Sequence, residues 1–251
     1  MAINVYYNYY VPNDAARAAE LLSCFGVLYA DRSIDRIVLL AESLDPPSDD
    51  RLEVLRVTGR PTFEDYFQAI AAYSGRDDVN VILNSDCFID PRTTRQLHKI
   101  QNDQAYCITR HELSTLIPMQ IDYKKTTEYA RRFLNNMQDC WVIRGQPRSG
   151  MWLDFSPGRL GCDNRLAYEL QSRGYVILDP HLTVRILHYH GSAYGTQNRG
   201  GDVVPPPYAY PAKYGFRERF GALLIEVDLR VRRMWNLCKG ALRRAVVGLW
   251  S

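Results

Sequence analysis

Two apolar runs, Ile34 to Ala41 (IDRIVLLA) and Val79 to Leu83 (VNVIL), constrain this chain more than any other feature. A strand with one wet face alternates apolar and polar residues. A run without that alternation belongs to a strand covered on both faces. Around these runs lie helical patterns. Residues 14 to 29 put Leu21, Phe25 and Leu28 on one stripe. Thr62 opens a second helix, with Asp65 completing a capping-box pattern and Phe63, Phe67 and Ile70 following at helical spacing. Asp90 and Pro91 read as the cap and first position of a third. Ile3 to Tyr10 and Leu52 to Val57 add strands. The first hundred residues therefore alternate strands and helices, which predicts a mostly parallel sheet with helices on both faces.

The second half is mixed. Ala105 to Thr109, Cys140 to Arg144, Tyr175 to Asp179 and Leu182 to Tyr189 read as strands. Thr126 to Met137 reads as a helix, as does a segment opened by Asp163 and ended by Gly174. Loops run from Gly145 to Pro157 and from Gly191 to Pro211. A helix is expected from Gly215 onward. One α/β domain over residues 1–212 and a C-terminal helical tail over 213–251 follow from this pattern. The tail interleaves Arg232, Arg233, Lys239, Arg243 and Arg244 with Met234, Trp235, Leu242 and Trp250. Such a basic amphipathic helix suits either a membrane surface or a dock on the domain.

Composition narrows the partners. A net charge of +3 on 251 residues is too mild to mark a nucleic-acid binder. It suits a small anionic ligand. The six cysteines show no CxxC spacing and read as reduced, buried hydrophobes. MAINVYYNYY has no signal-peptide pattern, and no stretch reaches the roughly 20 apolar residues of a spanning helix. The expected location is cytoplasmic, with peripheral contact at a membrane through the tail.

In open parallel sheets, ligands bind outside the carboxyl ends of the strands. Asp86 sits just past Val79 to Leu83, where a carboxylate can hold Mg²⁺ or Mn²⁺ against a diphosphate. With Asp90 taken as the helix cap, Asp86 has no other local task. His188 and His190 share a strand face and can touch a metal or phosphate, or simply hydrogen-bond at a strand end. Asp163 opens a helix and is either its N-cap or a general base. Asp139, before Cys140 to Arg144, is a second carboxylate candidate. Arg60 can reach a phosphate, and Glu42-Ser43 a base or ribose. Trp152 and Phe155 can stack on a sugar.

The segments RPTFEDYF (60–67), VILNSDCFID (81–90), DCWVIRG (139–145), GCDNRLAYEL (161–170), GYVILDP (174–180) and LHYHGSAYG (187–195) occur in an order that resembles the GT-A glycosyltransferases. The closest likeness is to a small bacterial family that includes a domain of a chlorovirus capsid-glycan glycosyltransferase. The resemblance spans roughly residues 3 to 212. It implies a Rossmann-type GT-A fold, a nucleotide-sugar donor with UDP as the expected nucleotide, a glycan acceptor, and transfer with inversion. It places Tyr9 and Glu42 at the nucleoside and Asn84-Ser85-Asp86 at the DXD position. Asp163 falls at the catalytic base and His190 near a C-terminal metal or phosphate ligand. The first carboxylate of a strict DXD is Asn84 here, a weaker ligand for Mn²⁺ or Mg²⁺. The competing expectation is a non-catalytic nucleotide- or glycan-binding module docked to a membrane. A nucleotidyltransferase normally has a Gly-rich basic loop after the first strand, and Tyr9 to Asp14 (YYVPND) has neither feature.

Overall fold

The structure, a computed structural model, describes residues 1–42, 49–116, 120–121, 137–189 and 203–212. Chain contacts divide it into Met1–Lys213 and Tyr214–Ser251. All described residues lie in the first unit. The predicted helix over 126–137, up to its last residue Met137, and the one from 215 onward, with His190, Ser43 and Cys238, fall outside the described residues.

The fold is a mixed α/β sheet flanked by helices. Strands β1 (Ile3–Tyr9), β2 (Arg36–Ala41), β3 (Leu52–Arg56) and β4 (Val79–Leu83) form the parallel part, in the order β3-β2-β1-β4. The sheet continues through β8 (Gln138–Arg144), β6 (Gln104–Thr115), β10 (Ile186–Tyr189) and β5 (Cys87–Ile89). Strand β8 is antiparallel to both β4 and β6. Strand β10 runs parallel to β6, and β5 antiparallel to β10. Two short strands, β7 (Gln120–Ile121) and β9 (Val176–Leu178), also pair with β6.

The apolar runs are covered on both faces, as their composition requires. Ile3, Val5, Tyr7, Ile37 and Leu39 face helix α1 (Ala15–Ala30) through Cys24, Phe25 and Leu28. Tyr6, Val38, Leu40 and Ile82 face α2 (Phe63–Tyr73) and α3 (Cys162–Ser172), with Phe63, Phe67, Trp141, Leu166 and Leu170. Asn80 interrupts VNVIL yet is fully buried. Its amide donates to the Gly145 carbonyl at 2.9 Å and to Ser74 Oγ at 2.8 Å, while Oδ1 accepts from Asn4 and Tyr6. A buried amide so paired escapes the desolvation cost of an orphan. Cys24, Cys87, Cys107, Cys140 and Cys162 are buried free thiols.

The predicted capping box is present: Thr62 accepts from the Asp65 amide, and Asp65 accepts from the Thr62 amide. Two local expectations are corrected. No α-helix follows Asp90. The chain makes β5, then a turn, then a 3₁₀ segment over Thr94–Lys99. Asp90 is buried, its carboxylate held by Arg92 at 2.7 Å and 2.8 Å, and its carbonyl closes a turn with the Thr93 amide. Nor is Asp163 an N-cap. That position is Gly161, at φ 82°, a left-handed conformation that glycine adopts without a Cβ penalty. Asp163 sits in the first turn of α3.

Candidate active site

The carboxyl ends of β1, β2 and β4 open onto a cavity of about 440 Å³. Of the residues singled out from sequence, Glu42, Arg60, Asn84, Ser85, Asp86, Asp139 and His188, the last on β10, line it. Arg17 and Arg110 join them from α1 and β6.

Asp86 is the first carboxylate beyond β4. Its Oδ2 accepts from Arg17 Nη2 at 2.8 Å and lies 3.4 Å from His188 Nε2. Its Oδ1 accepts the Cys87 thiol at 3.6 Å. Burial alone would raise the Asp86 carboxyl, but His188 and Arg17 outweigh it and hold the group well below the ordinary carboxylate range. His188 shows the mirror effect. Burial disfavours its charge, yet Asp86, with Glu112, raises it to about 9, so it is an imidazolium at neutral pH. Its other nitrogen, Nδ1, lies 2.9 Å from Glu112 Oε2.

The pairing continues beyond Glu112. Glu112 Oε1 accepts from Arg110 Nε at 3.0 Å, and Arg110 Nη1 donates to Asp139 Oδ2 at 2.8 Å. Asp139 Oδ1 accepts from the Asn84 amide. At the other end, Arg17 Nη1 pairs with Glu20. A line of alternating charge thus runs Glu20, Arg17, Asp86, His188, Glu112, Arg110, Asp139, ending on Asn84. Glu20, Glu112 and His188 are at most 2% exposed, which tolerates charge only because each is paired.

Asp163 lies outside the cavity lining, electrostatically coupled to Asp139. Burial first, and the Asp139 charge second, raise its carboxyl to about 8 against the pull of the Cys162 thiol, Arg110 and the Gln138 main chain. It is therefore the carboxyl of this region whose proton is exchangeable near neutral pH.

Ser85 ties the loop after β4 to β1: its hydroxyl donates to the Asn8 carbonyl at 2.9 Å, and its carbonyl accepts from Tyr7. Glu42 Oε1 accepts from Asn8 Nδ2 at 2.9 Å. Arg60 is exposed at the cavity rim beside Gly158, at φ 79°, where a Cβ would stand 2.5 Å from the guanidinium.

Three sequence-derived positions differ. Tyr9 packs on Phe25 on the α1 face, 5.4 Å between ring centroids, while its neighbours Asn8 and Tyr10 face the cavity. Phe155 is 1% exposed, wedged against Phe63, and its carbonyl accepts the Phe63 amide, so it is core rather than an open stacking surface. Trp152 is 40% exposed but outside the cavity lining, with Arg165 over its ring at 4.4 Å. Arg17, Arg110 and Glu112 were missed. Arg17 carried one signal: a cation in the first turn of a helix opposes the helix dipole, so another charge must hold it there.

Among the described residues, no three His, Cys, Asp or Glu side chains converge as a metal cluster. A divalent ion brought to Asp86 also meets two cations. Each unit pair at 4 Å costs about 4 kcal/mol at an effective dielectric of 20. Asp86 therefore forms no pre-formed protein cage, and would hold a Mg²⁺-like ion only with further oxygen ligands from outside the described residues.

No family model matches the chain, and no curated protein does. Solved structures resemble it in part. A mannosyltransferase from Pyrobaculum calidifontis in complex with GDP-Man and Mn²⁺ superposes with a TM-score of 0.45 at 14% identity, covering 77% of this chain and 58% of that one. A 4-diphosphocytidyl-2C-methyl-D-erythritol synthase from Anaerococcus prevotii gives 0.34 at 14% identity, over 57% and 70%. A glucosyl-3-phosphoglycerate synthase from Mycobacterium tuberculosis, bound to Mn²⁺, UDP and phosphoglyceric acid, gives 0.31 at 14% identity, over 57% and 55%. The chain thus spans less than two thirds of the mannosyltransferase's length. Likeness this partial leaves function to the geometry of the site.

Proposed function

We propose that this chain is a GT-A-type glycosyltransferase that moves a hexosyl group from a nucleoside diphosphate sugar to a glycan hydroxyl, with inversion. The observation that supports it most is the raised carboxyl of Asp163, electrostatically coupled to Asp139. Asp139 is tied on both oxygens by Asn84 and Arg110, whereas Asp163 is poised near neutrality. A carboxyl raised in this way suits a general base that must exchange its proton near neutral pH. Asp163 takes the proton of the acceptor hydroxyl. The acceptor oxygen forms its bond to the anomeric carbon as the carbon–oxygen bond to the diphosphate breaks, and the leaving oxygen keeps the electron pair.

Arg60 is the cation of the lining for which the described residues supply no ion pair, which supports the reading that it meets the phosphates. Asp86 is the residue that would hold a divalent ion, with His190 as the second ligand expected from sequence. Such an ion would neutralise charge on the departing diphosphate. No described helix is long and apolar enough to cross a membrane. Segment 213–251 is proposed, on its sequence pattern alone, to dock on an anionic membrane surface.

Asp163→Asn tests the reading. The expected result is transfer slowed by roughly 10²- to 10⁴-fold with nucleotide binding retained. Transfer at the wild-type rate would remove Asp163 as the base. The anomeric configuration of the product, read by NMR, tests inversion. Tight nucleotide binding with no turnover of any nucleotide sugar would identify a binding module instead.

A further inference from the structure

Among the described residues, two buried side-chain atoms of the cavity lining have no hydrogen-bond partner: Arg17 Nε, a donor, and Asn8 Oδ1, an acceptor. Asn8, on β1, is 8% exposed and lines the cavity. Its Nδ2 donates to Glu42 Oε1 at 2.9 Å. That bond fixes the amide, because only the nitrogen end can donate to a carboxylate. Oδ1 is therefore the atom turned away, and it is buried without a hydrogen-bond partner. Nothing described engages the second oxygen of Glu42 either. The hydrogen-bonded pair thus carries two acceptors that no described residue engages, one of them buried, and an unpaired buried acceptor is a standing cost that a bound donor relieves.

Position says which part of a nucleotide arrives here. Strands β2 and β4 flank β1, and neighbouring strands lie about 4.8 Å apart, so Glu42 stands roughly 10 Å across the sheet from the Asp86 end. An extended nucleoside diphosphate covers that span from β-phosphate to base edge, with its ribose in between. Tyr10 lines the same cavity, half-buried, and supplies a flat apolar surface for a base. The bases differ in what they offer to two acceptors. Uracil has one N–H between two carbonyls. Adenine and cytosine each set one amino group beside a ring acceptor. Guanine alone of the four sets N1–H and the 2-amino group next to each other.

We infer that the Asn8–Glu42 pair recognises the two-donor edge of guanine, which makes the donor a GDP-sugar rather than the UDP-sugar expected from sequence. This rests on the glycosyltransfer reading above.

The test is calorimetric titration of the full chain with GDP, IDP, UDP, ADP and CDP, each with and without MnCl₂. IDP lacks only the 2-amino group. GDP is expected to bind roughly 10- to 100-fold more tightly than IDP or UDP, the discrimination of one good bidentate pair. Glu42→Gln and Asn8→Leu, each checked by circular dichroism for native fold, are expected to bring the GDP-to-IDP ratio close to one. UDP binding as tightly as GDP, or IDP matching GDP in the wild type, overturns the inference and leaves glycosyl transfer standing. Binding of none of the five nucleotides overturns both.

Discussion

The two ends of one cavity are built on opposite principles. At the β4, β6 and β10 end, Asp86, His188, Glu112, Arg110 and Asp139 all find partners inside the protein. At the β2 and α2 end, Arg60 is exposed and Asn8 Oδ1 is buried with nothing to accept from. The first end is paired within the protein; on the proposed reading a ligand completes the second. On that reading shape and stability belong to the closed end, and affinity to the open end. Substitutions at the two ends should therefore separate in what they change.

The largest expected effect is at the closed end. Glu112→Gln removes the charge shared by Arg110 and His188, leaving two cations short of a partner at a position 2% exposed. A loss of about 3 kcal/mol in unfolding free energy is expected, measured by urea denaturation. An unchanged denaturation midpoint would show that the network does not hold this end together.

The second concerns pH. The raised Asp163 carboxyl contributes stability that is fully present below the unfolded value of 3.8 and lost as pH rises through about 8. Thermal unfolding of the wild type should decline over that window, and Asp163→Asn should flatten the decline. Transfer should rise with pH through about 8, as a base must be deprotonated to act. Asp139→Asn removes the second cause of the shift and should move that midpoint to lower pH.

Arg60→Gln probes the open end. Nucleoside diphosphate affinity should fall about tenfold, as loss of one charge-assisted contact predicts, while the melting temperature stays within about one degree. A large fall in melting temperature would place Arg60 with the closed end. The smallest effect is at Thr62→Ala, which deletes the cap of α2 and should cost about 1 kcal/mol. A nucleotide affinity reduced beyond that loss would show that the cap also positions Arg60, two residues earlier.

Periodicity made the sheet legible. Apolar runs such as IVLLA and a capping box such as Thr62–Asp65 are local patterns with local causes. Asp86 was also within reach, because strand ends in a parallel sheet are where ligands bind. Its partners were not. Arg17 lies 69 residues away in sequence and His188 more than a hundred, and only the strand order brings them together. Strand parity was hidden for a different reason. In VYYNYY aromatic residues face both ways, so nothing local tells that Tyr9 belongs to the α1 face and Tyr10 to the cavity. Phe155 misled because a loop rich in Gly and Pro reads as exposed, whereas this one folds back to pair with Phe63. Asp90 before a proline looks like a helix cap in a linear reading, yet Arg92 and a turn use it instead.

Strand β6 has one more consequence. Arg110 and Glu112 are separated by one residue and share a face, while the intervening His111 turns the other way, its Nε2 2.7 Å from the His181 carbonyl. A slip of β6 by one position would exchange those faces. It would bury two charges away from their partners and set an imidazole, held near pKa 4 by burial, opposite Asp139. The line of charges thus acts as a checksum on strand alignment: only the correct register sets each charge beside an opposite one, so a misaligned chain is rejected by the residues that hold this end of the cavity together.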